Sequence, residues 1–160
     1  MEDYLQMLLQ MLEFAPDILF PSAAFPVSFK AAMAALTLVQ ADVVFAGLDF
    51  IRNVITHDCL LPPAGGPPPP KFPVYAAVIR PMVEKEGPDL VGYLLSGFTG
   101  DFPEESTSTV VTIFRTMASQ WPSALLSWLP PVLQQLPVGS VPDSAKTQFM
   151  TDMTRYVFLR

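Results

Sequence analysis

Residues 42–56, DVVFAGLDFIRNVIT, decide how the chain is built. Val44, Leu48, Ile51 and Ile55 recur at helical spacing, and so do Val43, Gly47, Phe50 and Val54. These are two adjoining apolar rows. Asp49, Arg52, Asn53 and Thr56 are left for the third face. A helix apolar on two rows packs against neighbours on more than one side, as in the interior of a layered helical stack. Asp42 opens it, because a carboxylate accepts the orphan N–H groups of a first turn.

Upstream, Leu5, Leu8, Leu9 and Leu12 form one apolar stripe, with Gln6, Gln10 and Glu13 on another face. Pro16 and Pro21 bracket its end, and Ser22 is the expected cap of a second helix reaching Val39. Downstream, Leu60 to Pro73 reads LLPPAGGPPPPKFP, with seven prolines and two glycines in fourteen residues. Proline fixes φ and removes donors, so this stretch is expected to be an exposed loop between helices.

Beyond it the pattern predicts a helix from Val74 to Glu86, kinked at Pro81. Gly87-Pro88-Asp89 then interrupts, and Leu90, Leu94 and Phe98 begin a separate helix. Pro103-Glu104-Glu105 starts another, carrying Val110, Ile113, Phe114 and Met117 inward. Trp121-Pro122 starts the next, with a kink expected at Pro130-Pro131. Pro142-Asp143 restarts the chain, and Phe149, Met153 and Tyr156 mark a last helix to Arg160. The expectation is an all-α fold of eight helical segments, arranged as an α-solenoid of antiparallel helix pairs across residues 1–160. Thr107–Phe114 is rich in β-branched residues, but no Asn-Gly or Asp-Gly turn accompanies it.

Composition narrows the function. Hydrophobic residues make up 51% and charged residues 15%, which excludes a disordered tail. A net charge of −6 argues against direct nucleic-acid binding, since neutralising phosphates takes clustered Lys and Arg. The longest uncharged stretch, Thr116 to Pro142, holds five prolines and three glutamines, so membrane insertion is not expected. Met-Glu-Asp supplies no basic region for a secretory signal, and the abrupt helical start fits a segment of a longer chain.

No enzyme is expected. His57 and Cys59 are a single Cys–His pair, but neighbours at that spacing usually point apart. Two N/S ligands fall short of a zinc site, and no phosphate-binding or nucleophile motif occurs. No cofactor is expected. Trp121, Trp128, Tyr75 and Tyr93 read first as core. The carboxylates Asp89, Asp101, Glu104 and Glu105 cluster in sequence around one inter-helix turn, where they can form an acidic, salt-sensitive edge for a basic protein partner. Capping is the plainer role for Glu104 and Glu105.

Specific residues also resemble a family. Residues 2–58 look like the C-terminal HEAT repeats of the importin-β (karyopherin) superfamily, in its transportin-SR and importin-13 branch. The resemblance is carried by Asp3, Leu5, Phe14 and Pro16, then by Asp42, Val43, Phe50, Arg52, Val54 and Ile55. Asn53 stands where that branch has an aspartate. Phe102-Pro103, Trp128-Leu129, Leu136-Pro137 and Thr154–Phe158 are similar to later segments, and the proline-rich loop is the main departure.

The resemblance implies a nuclear import receptor that shuttles between cytoplasm and nucleus. Such a receptor binds protein cargo on its concave face, here basic, Ser/Arg-rich or other RNA-binding proteins. In the full-length receptor it contacts FG-nucleoporins and releases cargo to Ran-GTP. The family's main Ran site and its arginine-rich helix lie in upstream repeats that this chain lacks, so the segment would serve as the cargo-contacting end. The alternative is an α-helical scaffold or protein-interaction module unrelated to transport.

Overall fold

The computed structural model describes residues 1–61 and 64–159, and all regular structure among them is helical. The α-helices are α1 (Glu2–Phe14), α2 (Pro16–Leu19), α3 (Ala24–Ala35), α4 (Ala41–Ile55), α5 (Phe72–Phe98), α6 (Thr107–Gln120), α7 (Pro122–Gln135) and α8 (Asp143–Phe158). Two 3-10 turns, Asp58–Leu60 and Glu104–Ser106, precede α5 and α6.

The double-row helix behaves as its pattern requires. On α4, Val44, Leu48, Ile51 and Ile55 are buried, and so are Gly47, Phe50 and Val54. It is packed by α1, α3 and α6. Gly47 lets α3 approach: a Cβ there would stand 2.8 Å from the carbonyl oxygen of Ala32. Thr107–Phe114 lies wholly within α6, with Val110 and Ile113 in the core.

The expected break at Gly87-Pro88-Asp89 does not occur. α5 is a single 27-residue helix that runs through Pro81 and Pro88. Each proline forfeits one backbone hydrogen bond. Burial of Tyr75, Ile79, Val83, Leu90, Val91 and Leu94 outweighs that loss by holding both halves on one core. Likewise α7 continues through Pro130 and Pro131, with Leu129, Val132 and Leu133 buried around them.

Three boundaries also move. The second expected helix ends at Ala35 instead of Val39, and Val39 is 98% exposed. There the Thr37 hydroxyl donates to the Ala34 carbonyl at 2.7 Å, and the chain turns extended at Gln40. Ser22 still serves the helix start, its Oγ accepting the Ala24 N–H at 3.1 Å. Pro16, at a first helical position, opens the short helix α2 that the pattern did not suggest. The proline-rich stretch is exposed over residues 64–71, but Leu60 is buried and Phe72 and Pro73 already belong to α5. Pro62, Pro63 and Arg160 lie outside the described residues.

The helices touch in an alternating order. α1 packs on α4, α4 on α6, and α6 on α8. α3 packs on α5, and α5 on α7. Adjacent members of the two series, α3 with α4, α6 with α7, and α7 with α8, are also in contact. One buried hydrophobic core, from Leu5 to Leu136, runs through α1 to α7, and α8 lays partly buried Phe149, Met153 and Tyr156 against it.

Candidate functional site

The four expected acidic residues are all exposed, but they do not gather at one turn. Asp89 stands within the continuous α5, on the same helix face as Tyr93 and Ser96 at i, i+4 and i+7. Asp101 follows the end of α5. The Phe102 N–H bonds back to the Gly97 carbonyl at 2.9 Å, and the Phe102 ring fills the space a Cβ on Gly97 would take. This reversal folds the turn against α5, so that Asp101 lines one groove with Ser96 and Tyr93.

Two grooves meet on that face. The first, about 280 Å3, is lined by Asp89, Tyr93 and Ser96 with Val132, Gln135 and Leu136 of the α7 end. The second, about 470 Å3, is lined by Asp101, Tyr93 and Ser96 with Leu38 and Val39 from the turn after α3. Tyr93 is shared by both and is 38% exposed. Asp89 and Asp101 therefore bracket one strip of surface with an aromatic ring between them. Glu104 and Glu105 sit on the 3-10 turn before α6 and line neither groove. None of the four carboxylates has an ion-pair partner among the described residues.

A third groove, about 380 Å3 and almost wholly apolar, lies between α5, α6 and α8. Phe98, Phe114, Phe149 and Met153 line it, together with Arg115 and Asp152. Phe114 and Phe149 meet edge to face at 6.3 Å. Helix periodicity placed Phe114 inward and marked Phe149 and Met153 as apolar positions of the last helix. It did not show that α8 has no fully buried residue, which is what leaves the groove open.

The Cys–His pair is built for structure. His57 Nδ1 accepts the Cys59 N–H at 3.1 Å and so caps the 3-10 turn. Its ring is enclosed edge-on by Phe20 at 5.3 Å, Phe72 at 5.7 Å and Tyr75 at 5.9 Å. Burial lowers the His57 pKa, with Asp58 opposing the shift more weakly. Burial also pushes the Cys59 thiol up to about 11, the opposite of an activated nucleophile. The Tyr75 hydroxyl and Lys71 both bond the Asp17 carboxylate, tying the start of α5 to α2.

Of the aromatic candidates, Trp121 and Tyr75 are buried and Trp128 is half-buried against Gly87. Arg80 was not singled out by the sequence, yet it joins three segments. Its guanidinium donates to the Gln120 side chain at 2.9 Å and to the Leu60 carbonyl at 3.4 Å, and it lies 5.8 Å from the Trp121 ring. No group of three or more potential metal ligands occurs among the described residues. No helix among them is long and apolar enough to cross a membrane. No protein-family model matches the chain, and no curated protein matches it significantly.

Proposed function

We propose that the chain is a protein-binding segment of an α-solenoid nuclear transport receptor, and that it receives basic, Ser/Arg-rich or other RNA-binding cargo. The observation that carries the solenoid reading is the alternating contact order. α1, α4, α6 and α8 form one succession and α3, α5 and α7 another, the relation expected of stacked helix pairs in two layers. The resemblance at Asp3, Phe14, Asp42, Phe50 and Arg52 supplies the transport reading. The unpaired Asp89 and Asp101 around Tyr93 offer charge and a stacking surface suited to arginine side chains. In the full-length receptor, Ran-GTP would be engaged mainly by upstream repeats, and FG-nucleoporins would be contacted as well, with shuttling between cytoplasm and nucleus.

The direct test is equilibrium binding of a Ser/Arg-rich polypeptide to the chain at low and at high salt. Saturable binding that weakens steeply with salt supports the reading, and absence of binding at low salt refutes it. The apolar groove between α6 and α8 favours the second reading, a helical protein-interaction module outside transport. That reading expects an apolar ligand and little salt dependence.

A further inference from the structure

The loop between the Asp58–Leu60 turn and α5 is held at both ends on one side chain. His57 caps the turn, and the ring of Phe72, at the start of α5, meets the His57 ring at 5.7 Å. Leu60 is buried, and its N–H bonds the His57 carbonyl at 3.0 Å. At the other end Lys71 is tied to Asp17, and the Phe72 N–H bonds the Pro69 carbonyl at 3.0 Å. That bond closes a turn with Pro70 at its second position, where the fixed φ of proline is favoured.

Between these anchors stand four successive prolines, Pro67 to Pro70, all of them exposed. Gly66 and the first three prolines each precede a proline, which moves them out of the helical region into the extended one. Pro67, Pro68 and Pro69 are accordingly neither helix nor turn. Three residues at about 3.1 Å each make one turn of polyproline helix, roughly 9 Å long. The carbonyls of Pro67 and Pro68 accept no hydrogen bond from the described residues. These prolines border a groove of about 320 Å3 with Asp58 and Phe72 instead of packing on the core.

We infer that the run Pro67–Pro70 is a ligand for a partner domain that takes polyproline in an uncharged groove lined by aromatic rings. The chemistry of the run excludes the other modes of peptide capture. Strand addition draws on N–H donors, and four successive prolines have none. Docking as a helix is closed to the run for the same reason. Capture by charge has nothing to hold, because Lys71 is the only charged residue between Asp58 and Arg80 and Asp17 already pairs it. What remains is ring faces and free carbonyls, on a chain whose φ angles are fixed before binding. An aromatic groove uses both, seating the rings between its side chains and donating indole or phenol hydrogens to the carbonyls. The anchors at His57 and Asp17 hold the run in place beforehand, so binding orders little further chain.

The inference uses no carboxylate of the α5 strip and stands apart from the transport reading. The probes are three isolated polyproline-binding domains, an SH3, a WW and an EVH1 domain, each fluorescently labelled. Each is titrated with the whole chain and binding is read by anisotropy. At least one is expected to bind saturably, with its affinity changing less than about twofold between low and high salt. A peptide of about ten prolines should displace the chain from that domain. Pro67→Ser with Pro68→Ser leaves the turn from Pro69 to Phe72 in place, and should weaken binding about tenfold or more. The same variant should bind a Ser/Arg-rich polypeptide as the natural chain does. If it alters the melting temperature, displacement of the natural chain by the proline peptide carries the test. Failure of all three domains to bind, no displacement by the peptide, or binding indifferent to the serine substitutions overturns the inference. So does binding that collapses at high salt, since a charged surface is then what the domain recognises.

Discussion

The indole of Trp128 occupies the space that a Cβ on Gly87 would need. α5 and α7 are pressed together at that point, and the absence of a side chain at Gly87 is what allows it.

Gly87→Ala should therefore destabilise the fold. In an ordinary helix interior alanine is better than glycine by about 1 kcal/mol. Here the methyl group overlaps an aromatic ring held in the core, and overpacking costs about 1–3 kcal/mol. Denaturant unfolding should show a lower midpoint for Gly87→Ala. Combining it with Trp128→Leu should cost less than the sum of the two single changes, and strict additivity would argue against the contact.

The same contact explains what could and could not be read from the sequence. The double-rowed α4 was legible because its pattern lies within a few turns of one helix. Gly87-Pro88 was misread as a break because both residues are poor helix formers, and the packing that overrules them comes from Trp128, forty-one positions away. Eight segments were expected and eight α-helices are present among the described residues, but only because the fused α5 offsets the short α2. The acidic strip was legible in composition and misplaced in space. Asp89 was assigned to a turn, and only the continuous α5 reveals that it shares a face with Tyr93.

Stability should decline as pH falls from about 7.5 toward 5.5, through the ordinary histidine range. His57 is held below its usual 6.5 by burial, so the unfolded chain takes up a proton first. The neutral ring's contribution is complete above 6.5 and is lost progressively below it. His57→Asn keeps an acceptor for the Cys59 N–H without the titrating ring. Urea midpoints at the two pH values should differ less for this variant than for the natural chain, and an equal difference would remove His57 as the cause.

Glu86 is 7% exposed and pairs with Lys30 Nζ at 3.5 Å, linking α5 to α3. Lys30→Met leaves a buried carboxylate without its cation. Breaking a fully buried pair costs roughly 3–5 kcal/mol. Lys30 is mostly solvated, so about 1–2 kcal/mol is expected here. Replacing both, as Lys30→Met with Glu86→Leu, should recover most of the loss in thermal unfolding. Failure to recover would show that Glu86 has other partners of equal weight.

The central claim is that exposed carboxylates along α5 and the following turn receive a basic protein. Its most direct measurement is a binding titration with a labelled Ser/Arg-rich polypeptide at low and high salt. Three proteins are compared: the natural chain, Asp89→Lys with Asp101→Lys, and Glu104→Lys with Glu105→Lys, each with its melting temperature. Exposed pairs contribute about 0.2–1 kcal/mol apiece, so each double reversal should weaken binding several-fold at low salt and far less at high salt. The Asp89 and Asp101 pair, which brackets Tyr93, should have the larger effect. Melting temperatures should stay unchanged for that pair. Affinities equal to the natural chain in both variants at low salt would contradict the account.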